Sequence, residues 1–258
     1  MRFIGLAIAL ALAALSAAQA AEIRVISPGV ISNSGLGEVA AAFEKQTGVK
    51  VIIQVDGMGA IMDDIVAKPA DVVMLPMDLM GTAALTGIAT DFTPLGRVEI
   101  GLFKKPQAAA PDISAVPALV SAMKTASVVF YTDPASGSMQ AAMSGQLLAR
   151  PDFAGITSQP IKGDAEPALK RGDGDAAAMG LGLIHGPHSP ANPPTDNPYL
   201  IGMLPAALNM HMDMAAGISA HAADKKNAAA FIAFATSPAM RAVWKSKGVD
   251  RYQNNQGE

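Results

Sequence analysis

Residues 23–55 read IRVISPGVISNSGLGEVAAAFEKQTGVKVIIQV, in which two β-branched runs flank a helical pattern. A β-branched run at 23–26 stops at the turn Ser27-Pro28-Gly29. A helical pattern of apolar residues then follows and ends at Thr47-Gly48, where a glycine can cap the helix, and a second β-branched run continues to residue 55. Strand, helix and strand in this order predict an α/β protein.

The same alternation continues over the rest of the chain. The apolar run at 71–75 is typical of a strand covered on both faces. An Ala- and Pro-rich stretch up to 117 marks the passage into a second lobe, and 186–198 has the composition of a loop. We predict helices at 118–125, 134 to before 150, 163–171, 222–236 and 238–247, and extended segments at 96–103, 127–131, 175–184, 199–203 and 209–219.

The first residues have the pattern of an export signal. A positive start is followed by an apolar run at 3–15 and by the small-residue cleavage site Ala18-Gln19-Ala20. The apolar run is shorter than the roughly 20 residues that a membrane-crossing helix needs. We therefore predict that residues 1–20 form a cleavable signal peptide and that the mature protein is periplasmic.

The composition restricts the class of function. A hydrophobic content of 50% with 16% charged residues excludes a disordered chain. The net charge of -3 and the dispersed basic residues give no reason to expect nucleic acid as a partner. Since the chain has no cysteine, it forms neither disulfides nor thiolate metal sites.

Glycine- and serine-rich turns follow several predicted strands. In α/β sheets, ligands bind at the carboxyl ends of the strands, and here those ends carry the turns 27–29, 56–59 and 132–138. Pro134 suits a first helical position, which would leave the N–H groups of Ser136 and Gly137 free to hold an anion. Tight turns and helix caps need the same residue types, so a purely structural role stays open.

The order of these segments resembles a known family, the molybdate-binding-protein-like branch of type II periplasmic solute-binding proteins. The resemblance covers nearly the whole mature chain. It implies two α/β lobes joined by two crossing strands, which close over a ligand and deliver it to an ABC permease in the inner membrane. The resemblance is carried by residues 23–27, FEKQTGVKV at 43–51, ADVV at 70–73, YTDPASG at 131–137 and the closing segment 231–239.

The resemblance also implies where the lobes divide and which turns face the ligand. Lobe one would comprise 23–101 with 213–258, and lobe two would comprise 102–212. The segment 176–182 matches another ligand-facing turn of the family, although small residues on a buried strand explain it equally well. We expect a monomer without a cofactor, whose hinge lies near 101–103 and 212–214.

Two departures from the family pattern concern the ligand. Molybdate binders present serine hydroxyls on the first two turns, whereas Val30 and Met58-Gly59 stand near those positions here. Asp56 in the second turn would repel a bound oxyanion. Asp56 therefore either caps a helix, or faces a ligand that brings hydrogen-bond donors or positive charge. Molybdate itself is not the expected ligand.

Two other classes of function remain as alternatives. The segment 210–214, Met-His-Met-Asp-Met, contains soft ligands that suit copper, although methionines on one strand face most simply pack in a core. An exported lyase would use Asp56 or Asp133 as its acid or base. No recognisable catalytic motif supports an enzyme.

These arguments predict a small oxyanion or an organic acid as the ligand, and they assign no residue to catalysis or to a metal. The predicted ligand-binding residues are Ser27, Gly29, Asp56, Gly57, Met58, Gly59, Thr132, Ser136, Gly137, Ser138, Gly180 and Leu181.

Overall fold

A computed structural model describes most of residues 21–250. The predicted signal peptide and the turn residues 57–59 lie outside the described residues. The described ranges are 21–56, 61, 70–80, 87–106, 108–169, 175–181 and 199–250.

Within the described ranges the strands form two mixed five-stranded sheets, which confirms the predicted α/β class. The first sheet has the order β2-β1-β3-β10-β4 and the second has the order β7-β6-β8-β5-β9. The strands are β1 Glu22–Pro28, β2 Lys50–Asp56, β3 Val72–Pro76, β4 Ala89–Glu99, β5 Gly101–Lys104, β6 Val129–Thr132, β7 Ser158–Ile161, β8 Ala177–Gly180, β9 Leu200–Met203 and β10 His211–Ser219.

The two sheets have the same plan. In the first sheet, β1 pairs in parallel with β2 and β3, and β10 is antiparallel to β3 and β4. In the second sheet, β6 pairs in parallel with β7 and β8, and β5 is antiparallel to β8 and β9. Each sheet therefore has three parallel strands whose carboxyl ends share one edge.

Helices flank the sheets, and the helix predicted after the first strand is confirmed. It ends at Thr47, where Gly48 adopts φ 74° as a left-handed cap. Its buried face includes Phe43, whose ring contacts Phe231 edge-on with 5.2 Å between centroids. The α-helices are α1 Gly29–Ile31, α2 Gly37–Thr47, α3 Met77–Met80, α4 Val116–Thr125, α5 Met139–Leu148, α6 Glu166–Leu169, α7 Lys225–Ala235 and α8 Pro238–Ser246.

Three local features differ from the predictions. Helical structure begins directly at Gly29, and α1 is joined to α2 through the segment Ser32–Leu36, which is kinked where Ser34 and Gly35 leave helical backbone angles. The helix predicted from Pro134 is split into a 3₁₀ turn, Pro134–Ser136, and α5, because Gly137 at φ 71° interrupts it. Strand β7, with the exposed residues Ser158, Gln159 and Pro160, has no periodic apolar signal and was not predicted.

Two short segments connect the sheets. The chain passes from β4 to β5 at Ile100, and it returns through residues 204–210 between β9 and β10. The segments contact each other, since Leu204 N–H donates to the Ile100 carbonyl at 2.9 Å and Ile100 N–H donates to that of Met210 at 2.9 Å. This crossing lies a few residues from the predicted hinge positions, and the hinge itself stays a prediction. Across the described ranges, no helix has the length and apolar character that spanning a bilayer requires.

Candidate functional site

A cavity of about 570 Å³ opens between the two sheets. Both sheets contribute to its walls through residues at or just after the ends of their parallel strands, as expected for ligand sites in α/β folds. The lining residues are Pro28, Gly29, Val30, Asn33, Asp56, Pro76, Thr132, Ser136, Gly137, Ser138, Met139, Gln140, Gly163, Asp164, Leu181 and Met212.

The strand register explains why distant turns meet on the wall of the first sheet. Pro28 at the end of β1 pairs with Asp56 at the end of β2, so the start of α1 lies beside the Asp56 carboxylate. Pro76 ends β3 at the same edge. The polar side chains of this wall are those of Asn33 and Asp56. The first predicted turn, 27–29, therefore lies beside Asp56, which is the described residue of the second predicted turn, 56–59.

Asp56 is half-buried and lies at the cavity, and one of its oxygens has a partner. Gln54 Nε2 donates to Asp56 Oδ2 at 2.7 Å. A carboxylate has about four lone-pair sites, so Asp56 keeps further acceptor capacity on the cavity side.

The wall of the second sheet begins at the end of β6. Thr132 is buried there, and the 3₁₀ turn that follows brings Ser136 and Gly137 to the cavity. The prediction that the N–H groups of these last two residues are free is wrong. Ser136 N–H donates to the Asp133 carbonyl at 2.9 Å and Gly137 N–H donates to that of Pro134 at 3.1 Å, because the turn closes on itself.

The start of α5 supplies the donors that the 3₁₀ turn does not. Ser138 caps this helix, and its Oγ accepts from Ala141 N–H at 3.2 Å. The first turn of an α-helix leaves its leading N–H groups without acceptors inside the helix, and here they belong to Met139 and Gln140, which line the cavity. The positive end of the α5 dipole thus points toward the cavity edge.

Gln140 is a lining residue that the sequence arguments missed. Its side chain is 6% exposed, and among the described residues its partner is Thr132 Oγ1, at a long 3.5 Å from Nε2. A buried amide normally has well-formed hydrogen bonds, so this one retains capacity for a ligand. The signal that could have found it is its position two residues after the capping serine.

The methionine-rich segment lies mainly in the core. Met210, Met212 and Met214 are buried, as expected for one face of a strand, and Met212 also reaches the cavity. Asp213 on the other face pairs with Arg97 through contacts of 2.7 Å and 3.0 Å. His211 Nε2 lies 3.9 Å from Asp213 Oδ2. Within the described ranges, no group of three or more His, Asp or Glu side chains could hold a metal ion.

The other predicted site residues are placed as follows. Gly29, Asp56, Thr132, Ser136, Gly137, Ser138 and Leu181 line the cavity. Ser27 lies behind the wall with 0% exposure, and its Oγ donates to the Pro28 carbonyl at 3.2 Å. Gly180 ends the buried strand β8 directly before Leu181 and is not among the described lining residues. Gly57, Met58 and Gly59 lie outside the described residues.

The charged side chains among the described lining residues are acidic. They are those of Asp56, at the end of β2, and Asp164, which follows β7; no Lys, Arg or His side chain is among the described lining residues. Neutral donors from hydroxyls, an amide and a helix end therefore share the cavity with acidic groups from both sheets.

Comparison with family models gives one match, which covers most of the chain. A model described as bacterial extracellular solute-binding protein matches residues 23–250. A search among curated proteins finds no match.

Solved structures share the fold at low sequence identity. The substrate-binding domain of a candidate molybdenum ABC transporter from Clostridium difficile aligns with a TM-score of 0.71 and 10% identity over 90% of this chain and 100% of that chain. A tungstate-binding protein from Desulfovibrio alaskensis G20 aligns with a TM-score of 0.64 and 17% identity over 86% of this chain and 93% of that chain. The periplasmic molybdate-binding protein of Azotobacter vinelandii aligns with a TM-score of 0.60 and 19% identity over 90% of this chain and 100% of that chain. This likeness confirms the two-lobed fold predicted from the sequence.

Proposed function

Because the chain belongs to the bacterial extracellular solute-binding proteins, we propose that it captures a small oxyanion or organic acid between its two lobes. The ligand would be released unchanged to an ABC permease in the inner membrane. In this proposal lobe one comprises 23–101 with 213–258, lobe two comprises 102–212, and the protein acts as a monomer.

One observation carries the proposal: the cavity lies where the parallel strands of both sheets end, and the start of α5 faces it. A helix N-terminus with free N–H groups favours negative charge. The hydroxyl of Ser138 and the amide of Gln140 add neutral donors on the same wall, where the Ser136 hydroxyl donates to Ser138 Oγ at 3.3 Å. A volume of about 570 Å³ also falls within the roughly 300–1,000 Å³ range of small-molecule pockets.

In this proposal the protein is exported, and its ligand is not molybdate. The predicted signal peptide at 1–20 directly precedes the matched region, which begins at residue 23. Val30 is a cavity residue and offers no side-chain donor on the first wall. The polar side chains of that wall are those of Asn33 and Asp56, and the Asp56 carboxylate would repel a fully deprotonated metal oxyanion.

A thermal-shift screen of the mature protein tests the proposal. Inorganic oxyanions, small carboxylates and metal ions are compared, and the melting temperature should rise with anion concentration as ln(1 + [L]/Kd). Mass spectrometry of the recovered ligand should find it intact after long incubation. Stabilisation by a metal ion alone, or consumption of the ligand, would contradict a binding protein for anions.

A further inference from the structure

We infer that Gly145 is a positioning residue for the wall of the cavity that the second sheet supplies. Gly145 is not among the described lining residues. Its contact with Pro134 sets how close the turn 134–137 lies to α5, and this turn brings Ser136 and Gly137 to the cavity. The inference rests on the proposed function, because this wall would hold the ligand.

Glycine is unfavourable inside a helix, and the backbone at Gly145 does not require it. Gly145 lies within α5, and its φ is outside the left-handed region that favours glycine. An alanine at such a position stabilises the helix relative to glycine. The reason for a glycine here is therefore the space around it.

A side chain at this position would collide with the turn that precedes the helix. A Cβ on Gly145 would lie 2.9 Å from Pro134 Cγ, which is closer than such carbons approach in proteins. Pro134 begins the 3₁₀ turn, so the turn folds back along α5 and packs on it about two helical turns after Ser138. Since a proline ring cannot rotate away as a flexible side chain can, the turn itself would have to move.

The turn would carry this displacement to the cavity, because its parts are joined by hydrogen bonds. Gly137 N–H donates to the Pro134 carbonyl at 3.1 Å. Ser138 N–H donates to Ser136 Oγ at 3.3 Å, and the Ser136 hydroxyl donates to Ser138 Oγ at the same distance. A movement of Pro134 therefore shifts the neighbouring lining residues and disturbs the cap of α5.

The size of the displacement is large enough to affect binding. Ordinary carbon–carbon contacts are about 3.5–4.0 Å, so the 2.9 Å approach would be relieved by a shift of about 0.6–1.1 Å. Binding groups must be held within roughly 0.5 Å of their productive geometry. Gly145 thus acts on the ligand through the turn and without contacting the ligand.

Nuclear magnetic resonance of the ligand-free protein tests the placement of the turn. In Gly145→Ala the amide resonances of Ser136, Gly137 and Ser138 should shift. Alanine at 134 lacks the Cγ that the new methyl group meets, so Gly145→Ala added to Pro134→Ala should leave the resonances of Pro134→Ala nearly unchanged. Gly37→Ala is the matched control, because nothing lies within 4 Å of its added Cβ, and it should not shift these resonances.

Calorimetry with sulfate, inorganic phosphate and lactate tests the effect on binding. A probe that binds the wild-type protein should bind Gly145→Ala about fivefold more weakly or worse. On the Pro134→Ala background the same substitution should change affinity by less than about twofold, since the collision is absent. A merely structural role of Gly145 in the helix would not be rescued in this way. Gly37→Ala should keep the wild-type affinity.

Three results would overturn the inference while the proposed function stands. These are unshifted turn resonances in Gly145→Ala, an affinity equal to that of the wild-type protein, and a loss of affinity that persists on the Pro134→Ala background. If neither the three probes nor the broader anion screen finds a ligand for the wild-type protein, the proposed function fails. The resonance comparison then still decides whether Gly145 places the turn.

Discussion

Gln140 is the residue whose environment is hardest to explain without a ligand. Glutamine is rarely buried this deeply, and its side chain is only 6% exposed at the edge of the cavity. Its contact to Thr132 Oγ1, at 3.5 Å, is at the limit of a hydrogen bond. A ligand oxygen beside it would complete the bonding of this amide.

Gln140→Met tests this role while keeping the length and helix propensity of the side chain. We expect the preferred anion to bind about tenfold more weakly, because a buried donor is lost. Gln159→Met on the exposed edge strand β7 is the control and should leave affinity unchanged. Calorimetry measures both variants; equal dissociation constants for Gln140→Met and the wild-type protein would remove the amide from the site.

Ser138 shows how one residue type serves both structure and binding. Its hydroxyl caps α5 by accepting from Ala141 N–H, so the structural role of this serine is present. The same serine lines the cavity, together with Met139 and Gln140, whose N–H groups have no acceptor inside the helix. A cap and a binding residue are therefore not alternatives at this position.

At the scale of elements, the kink between α1 and α2 shapes the first wall. Gly35 adopts φ 104°, a conformation that residues with a side chain rarely adopt. A Cβ at Gly35 would lie 3.2 Å from Lys247 Cγ, because the end of α8 packs against this kink. The segment that carries Val30 and Asn33 therefore packs against the end of α8 through this kink.

Glu38 and Lys247 add an electrostatic link between α2 and the end of α8. Lys247 Nζ lies 3.0 Å from Glu38 Oε1. Partial burial alone would raise the pKa of Glu38, but its hydrogen bonds and the positive charge of Lys247 outweigh burial, so this pKa lies below its ordinary value. The stability that the ionised Glu38 carboxylate contributes to the folded protein is therefore present above the ordinary pKa of glutamate. It is lost as the pH falls through the lowered pKa of Glu38.

Gly35→Ala and Gly37→Ala form a matched pair for the kink. Gly35→Ala should lower the free energy of unfolding by about 1–3 kcal/mol, since it combines a left-handed φ with a close approach to Lys247. Gly37 has helical φ of -62° and nothing within 4 Å of an added Cβ, so Gly37→Ala should raise stability by about 0.5–1 kcal/mol. Urea denaturation measures both, and a Gly35→Ala protein as stable as the wild type would contradict the strained kink.

In the whole molecule, the described chain passes between the two sheets only through short crossing segments. These are Ile100 and residues 204–210, which hydrogen-bond to each other. Short paired segments allow hinge motion, in which few residues absorb the change in backbone angles. A ligand that contacts both walls would favour the closed state.

Small-angle scattering tests this closure. The radius of gyration of the mature protein should fall when the preferred anion reaches saturation, because the two lobes approach each other around it. The Gln140→Met variant at the same anion concentration controls for effects of ionic strength. An unchanged radius in the saturated wild-type protein would count against a hinge at Ile100 and 204–210.

The family resemblance was carried by the order of short motifs and is confirmed by the family match over 23–250. The amphipathic pattern before Gly48 predicted α2 well, because its periodicity reports one buried face. Strand β7 was missed because an exposed edge strand has no such face. Gly137 interrupts a predicted helix, because glycine readily adopts a left-handed φ, and the periodic pattern of apolar residues does not predict this.

The α/β class, the main helices and strands, and the turns at the strand ends follow from the amino-acid sequence, because they depend on local periodicity and on residue conformational preferences. Which turns meet across the two sheets follows from the tertiary structure. It placed Ser27 behind the wall, satisfied the N–H groups of Ser136 and Gly137 within their own turn, and brought Gln140 to the cavity. These outcomes depend on strand register and on long-range packing, which no local pattern encodes.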